Sequence, residues 1–135
     1  MEKIIFEWNA RVYFEDTDSG GVVYHANYLK FMERARTEWL RNLGLNQIKL
    51  KQENKMMFVV RKIDIQYKIP ARFNDKLLIQ TDCVKTTDYS IMLKQNILRD
   101  KQIITKGKVE IVCINSDFFK PVRIPKMAKQ LMEII

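Results

Sequence analysis

Between Tyr28 and Leu43 the apolar residues Tyr28, Phe31, Met32, Ala35, Trp39, Leu40 and Leu43 recur at helical spacing, interleaved with Lys30, Glu33, Arg34, Arg36, Glu38 and Arg41. That spacing predicts a helix of four or five turns with one apolar face, and Gly44 suits its C-terminal cap. Most of the remaining chain has a period of two. Phe6, Trp8, Ala10, Val12 and Phe14 alternate with Glu7, Asn9, Arg11 and Tyr13 within residues 4 to 14, the pattern of a half-buried strand. A single one-faced helix in a chain of strands has one way to bury its stripe, which is against a sheet.

The strand pattern resumes from Met56, with Val59, Arg61, Ile63, Ile65, Tyr67 and Ile69 alternating against Val60, Lys62, Asp64, Gln66 and Lys68 until Pro70 ends it. Three further β-rich runs cover about 77 to 86, 90 to 99 and 103 to 115. The turn-like segments Thr87-Asp88 and Asp100-Lys101-Gln102 separate them, and connections this short join antiparallel neighbours. The tail opens with Pro125 and carries Met127, Leu131 and Ile134 at helical spacing, which predicts a short closing helix. The expected fold is α+β: strand, long helix, four strands, short helix, in one domain spanning 1–135. Such a sheet leaves strand edges uncovered, so a homodimer or a dimer of dimers is expected.

The chain has 135 residues and a formal charge of +8, from 24 Lys and Arg against 16 Asp and Glu. The basic residues are spread along the chain, which favours anionic partners in general. Cys83 and Cys113 lie in apolar, strand-like runs and read as buried thiols, with no CxxC or Cys/His cluster to suggest zinc. MEKIIFEWNA has charges and no apolar h-region, and no run is long enough for a membrane helix, so a cytoplasmic location without stable membrane insertion is expected.

The chemistry concentrates in EDTDSGGVVYHANY, residues 15 to 28, which holds three acids, two adjacent glycines and the only histidine. DTDSG resembles the start of a calcium loop, but counting from Asp16 puts Gly20 and Asn27 where carboxylates belong, so no metal is expected. Gly20-Gly21 is accompanied by neither GxxxxGK[ST] nor GxGxxG, and Ser19 with His25 lacks a nucleophile elbow. What remains is a carboxylate near a helix entrance. An ionised Asp can act as base or nucleophile, while unpaired N–H groups at a helix start suit an oxygen that turns anionic in acyl transfer. The competing interpretation makes Asp16 and Asp18 turn formers and His25 a hydrogen-bonded structural residue.

From Tyr13 to Leu40, YFEDTDSGGVVYHANYLKFMERARTEWL resembles the 4-hydroxybenzoyl-CoA thioesterase family of hotdog-fold proteins, and most closely its branch of acyl-CoA thioesterases associated with the Tol-Pal system. The later run KGKVEIVCINSDFFKPVRIP is similar to that branch's last strand and exit. The resemblance implies a hotdog fold, hydrolysis of an acyl-CoA thioester without cofactor, and an acyl site between two subunits. Residue by residue it implies Asp18 as the catalytic aspartate, base or nucleophile, and His25 as the active-site histidine, whose backbone N–H binds the thioester carbonyl. Gly21, Tyr24, Asn27 and Tyr28 match positions at the substrate. Acyl-CoA or an acidic acyl carrier protein, not nucleic acid, then becomes the expected partner, with Arg72, Lys106, Lys108 and Arg123 as candidates for the CoA phosphates.

Two rival functions remain: an acyl-thioester hydratase or dehydratase, which would share the fold but whose pattern of His and acid is not found here, and a non-catalytic acyl-carrier or membrane-system adaptor, which would use the basic surface. Phe6, Trp8, Met56, Met57, Phe58 and Tyr89 are candidates for an acyl pocket, although ordinary core or interface packing is the better explanation and requires no such role.

Overall fold

A computed structural model describes residues 5–133, so residue 4 of the first alternating run and Ile134 of the tail lie outside the described residues. The elements run β1 (Phe6–Arg11), α1 (Asn27–Asn42), α2 (Gln47–Asn54), β2 (Met56–Tyr67), β3 (Lys76–Thr86), β4 (Ser90–Arg99), β5 (Gln102–Asn115) and α3 (Lys126–Glu133). The strands form one antiparallel sheet in the order β1-β3-β4-β5-β2. The short β3–β4 and β4–β5 connections give neighbours as expected, and β1 and β2 form the two edges.

The apolar stripe of α1 divides the core. Tyr28, Phe31, Met32 and Ala35 pack with Leu77 and Ile79 of β3 and Ile97 of β4. Trp39 and Leu40 pack with Ile91 and Leu93 of β4, Val109 and Cys113 of β5, and Ala128 and Met132 of α3. Burial on both ends of one helix fixes its position over the sheet. Two sheet residues fit its centre. Gly107 gives Met32 its space, since a Cβ there would stand 2.7 Å from Met32 Cε. The fully buried Gln95 donates Nε2 to the Met32 carbonyl at 3.0 Å and accepts from Arg36 at 2.9 Å. Gly44, at φ +84°, ends α1 by donating its N–H to the Arg41 carbonyl.

Four expectations need correction. Residues 47–54 form α2, unanticipated because QIKLKQEN has no apolar periodicity and buries no residue; Asn46 caps it by accepting the Lys49 N–H, and Lys55 closes it in the left-handed region. β1 stops at Arg11, so Phe14 leaves the buried face for a 3-10 turn over Phe14–Asp16, where its exposed ring stacks on Phe73 at 3.7 Å. α1 starts at Asn27, which leaves His25 just outside it, before the N-cap Ala26. In α3 the buried positions are Ala128 and Met132, while Met127 is exposed. Among the described residues, no helix is long and apolar enough to cross a membrane.

Candidate active site

Between β1 and α1 the chain folds into a tight hairpin. Its base is the bond from the Tyr24 N–H to the Asp16 carbonyl at 2.9 Å, followed by a bridge between Thr17 and Val23. Its tip is closed by Asp18 N–H to the Val22 carbonyl at 2.9 Å and Gly21 N–H to the Asp18 carbonyl at 3.0 Å. Gly21 holds φ +77°, a conformation that side chains disfavour, so the turn needs glycine there. The hairpin is tied to the β2–β3 connection by the Val23 N–H to Ala71 carbonyl bond and by a Val22–Arg72 bridge.

The two aspartates have different surroundings. Asp16 is buried, with Oδ2 accepting the Tyr13 N–H at 2.8 Å and Oδ1 accepting Asn27 Nδ2 at 2.6 Å. Asp18 is exposed at the hairpin tip; its Oδ1 accepts the Gly20 N–H at 2.8 Å, and its Oδ2 has no protein donor among the described residues. The first carboxylate locks the hairpin to α1. The second is oriented on one oxygen and free on the other.

At the helix entrance the Asn27 N–H donates to the Tyr24 carbonyl at 2.8 Å. Among the described residues, neither the His25 nor the Ala26 N–H donates to a backbone oxygen, as befits groups at a helix start. The exposed His25 ring lies 4.5 Å from that of Tyr24 and edge-on to Tyr67 at 6.3 Å. The Tyr67 hydroxyl donates to the His25 carbonyl at 2.9 Å. Tyr28 is buried behind them, its hydroxyl accepting the Ala71 N–H at 3.0 Å, and burial pushes its phenol above the usual range.

Asp18, Gly21, Tyr24 and His25 thus share one hairpin and its exit, with their side chains or backbone exposed. Asn27 and Tyr28 lie inside with their polar ends bonded within the chain. Of the basic candidates, Arg72 adjoins the hairpin. Lys106 and Lys108 line a shallow cavity of about 330 Å³ with Lys94 and Asn96, and Arg123 is paired with Asp88 at 3.3 Å and lies over the Tyr89 ring. Met56, Met57 and Phe58 line a cavity of about 230 Å³ beside α2, whereas Phe6 and Trp8 pack against the core clusters. Sequence reasoning passed over Tyr67, which reads as one more strand residue until the sheet brings it to His25, 42 positions away.

The model of the Thioesterase-like superfamily matches residues 12–132. This chain belongs to that superfamily. The acyl-CoA thioesterase YbgC of Haemophilus influenzae is 41% identical over 124 residues, covering 92% of this chain and 91% of the relative. The crystal structure of a probable thioesterase from Bartonella henselae superposes with a TM-score of 0.86 at 38% identity, over 90% of this chain and 100% of that one. A 4-hydroxybenzoyl-CoA thioesterase in complex with 4-hydroxybenzoyl-CoA superposes at a TM-score of 0.90 with 17% identity, over 96% and 99% of the two chains. The sheet and its long helix are therefore the hotdog fold of these thioesterases, and the superfamily extends over both the hairpin and the helix entrance.

Proposed function

We propose that this protein hydrolyses an acyl-CoA thioester, with water as the second substrate and a free carboxylic acid and CoA as products. The reading is supported by the superfamily, by relatives named acyl-CoA thioesterases that match nearly the whole chain, and by the arrangement at the helix entrance. The observation that carries the residue assignment is the division of labour between two aspartates two positions apart. Asp16 spends both oxygens inside the fold, while Asp18 keeps one oxygen uncommitted and exposed.

In this mechanism the N–H groups at the entrance of α1, His25 first, hydrogen-bond the thioester oxygen as it becomes anionic. Asp18, ionised, attacks the carbonyl carbon or takes a proton from the attacking water. The C–S bond then breaks, and His25 supplies a proton to the departing thiolate or orients the water; where Asp18 has attacked the carbon, water hydrolyses the mixed anhydride so formed, which releases the acid and restores the carboxylate. One oxyanion donor is typically worth roughly 10²–10³ in rate, so the helix entrance matters on a scale close to that of the acid.

The uncovered β2 edge suits pairing with a second copy, as a dimer or dimer of dimers, and the spread basic charge suits CoA phosphates or an acidic carrier protein. Light scattering behind a sizing column tests the first.

The deciding experiment is free-thiol release over acyl-CoAs from short to long and aromatic, run beside Asp18→Asn. Asn keeps the shape and removes the charge, so turnover is expected to fall by orders of magnitude with folding intact. Undiminished turnover by the variant would remove Asp18 from the mechanism. Hydration of an enoyl-CoA without thiol release, or intact thioesters bound to carrier protein, would replace hydrolysis altogether.

A further inference from the structure

The His25–Ala26 peptide stands outside the helical hydrogen-bond ladder. The Leu29 N–H closes on Ala26 at 3.2 Å, so among the described residues the His25 carbonyl receives no backbone N–H. Its donor is the Tyr67 hydroxyl at 2.9 Å. Tyr67 is the last residue of β2, set in register opposite Thr105 of β5, and its ring leans edge-on against Tyr28 at 5.3 Å. The sheet therefore reaches out to the loop that precedes α1 and takes hold of one oxygen.

A trans peptide is planar, with C=O and N–H pointing in opposite directions. Fixing a carbonyl fixes the N–H across the same bond. The Tyr24 carbonyl, held by the Asn27 N–H, sets the direction of the His25 N–H. The His25 carbonyl, held by Tyr67, sets the direction of the Ala26 N–H and restrains the ψ of His25. Both peptides flanking His25 are pinned on their oxygen side, which leaves their N–H groups aimed and unspent.

We propose that Tyr67 is a positioning residue for hydrolysis: its hydroxyl holds the His25–Ala26 peptide so that the N–H groups at the helix entrance meet the thioester oxygen. The inference rests on the thioesterase reading above and extends it to a residue that acts through the His25–Ala26 peptide. Tyr67 is 46% exposed, and partial desolvation, with Tyr28 beside it, raises its phenol above the ordinary range, so it stays protonated and able to donate at neutral pH.

Tyr67→Phe keeps the ring and its packing while deleting the donor. With benzoyl-CoA or butyryl-CoA as substrate, kcat is expected to fall about tenfold, a fraction of the loss of a whole oxyanion donor, with KM within about twofold of wild type. Binding of an unreactive thioether analogue of the same acyl-CoA, read by calorimetry, should be unchanged, as should the thermal midpoint. An unchanged kcat in Tyr67→Phe, beside an active wild type and a crippled Asp18→Asn, overturns the role of Tyr67 and leaves the thioesterase reading standing. Equal weakening of kcat, analogue binding and thermal midpoint overturns it as well, because Tyr67 would then be a structural residue only. Absence of thiol release by wild type across the acyl-CoA panel overturns the thioesterase reading and this inference with it.

Discussion

The side-chain amide of Asn27, first residue of α1, donates to Asp16 across 2.6 Å in a buried contact, while the other Asp16 oxygen accepts the Tyr13 N–H. This latch closes the loop that carries Asp18. Replacing Asp16 with Ala strands two donors, one buried and one part-buried, and Asp16→Asn turns an amide donor toward one of them. Either is expected to cost about 1–3 kcal/mol of stability in urea unfolding. Asp18→Asn, at the exposed tip, is expected to leave stability within about 0.5 kcal/mol while removing activity. The two aspartates should thus separate into a stability phenotype and a rate phenotype. Equal unfolding midpoints for the Asp16 variants and wild type would contradict the latch.

Gly107 of β5 meets α1 where Met32 leaves no space for a side chain. A Cβ at 107 would come within 2.7 Å of Met32 Cε and 3.1 Å of the Gln95 carbonyl oxygen. The Met32 tip can move but the backbone oxygen cannot easily do so, so Gly107→Ala is expected to cost about 1–3 kcal/mol. Met32→Ala removes only the first clash and opens a cavity of its own, so a double-mutant cycle should give a favourable coupling with a residual loss from the Gln95 side. Strictly additive effects would show that the helix does not rest on this glycine.

Periodicity carried most of the fold. The 16-residue α1 stripe and the β4 range follow from the sequence because burial writes itself into spacing. α2 left no such trace, since it buries no residue fully, resting only Leu50 against the core, and is set by the Asn46 cap and the left-handed Lys55. Phe14 misled because the period of two continues in the sequence past Arg11, where the chain turns to make the Asp16 contacts. At the candidate site, the hairpin residues were legible as a motif because they are contiguous. The different surroundings of Asp16 and Asp18 depend on how the hairpin turns, and the bond from Tyr67 to His25 spans 42 positions, which no local pattern encodes.

Cys113 lies fully buried in β5, and desolvation pushes its thiol up to about 11. The thiolate is the reactive form, so at pH 8 the folded protein should offer almost none of it. Iodoacetamide is expected to leave Cys113 unmodified in native protein over hours and to label it quickly in denaturant, with Cys83, also buried, behaving alike. Mass spectrometry of the labelled chain distinguishes the cases, and rapid labelling of Cys113 without denaturant would show that this part of β5 opens readily.

The Asp75–Arg99 pair joins the β2–β3 connection to the end of β4, with Arg99 donating to Asp75 Oδ2 at 2.7 Å and to the Pro70 carbonyl at 3.1 Å. Burial alone would raise the Asp75 carboxyl, but the Arg72 N–H and the Arg99 guanidinium outweigh it and hold the group below the usual carboxylate range. A folded value below the unfolded one means that the stabilisation is present above the unfolded value and lost as pH falls through the folded one. Arg99→Gln should therefore lower stability near pH 7 by roughly 0.2–1 kcal/mol, the scale of a partly exposed pair. The Arg72 N–H still bonds the carboxylate, so part of the depression survives in the variant. As pH falls below the carboxylate range Asp75 is protonated in both proteins, and the gap between their unfolding midpoints should narrow. A gap that stays constant from pH 7 down to the acid limit would mean that Arg99 acts through its bond to Pro70 and not through its charge.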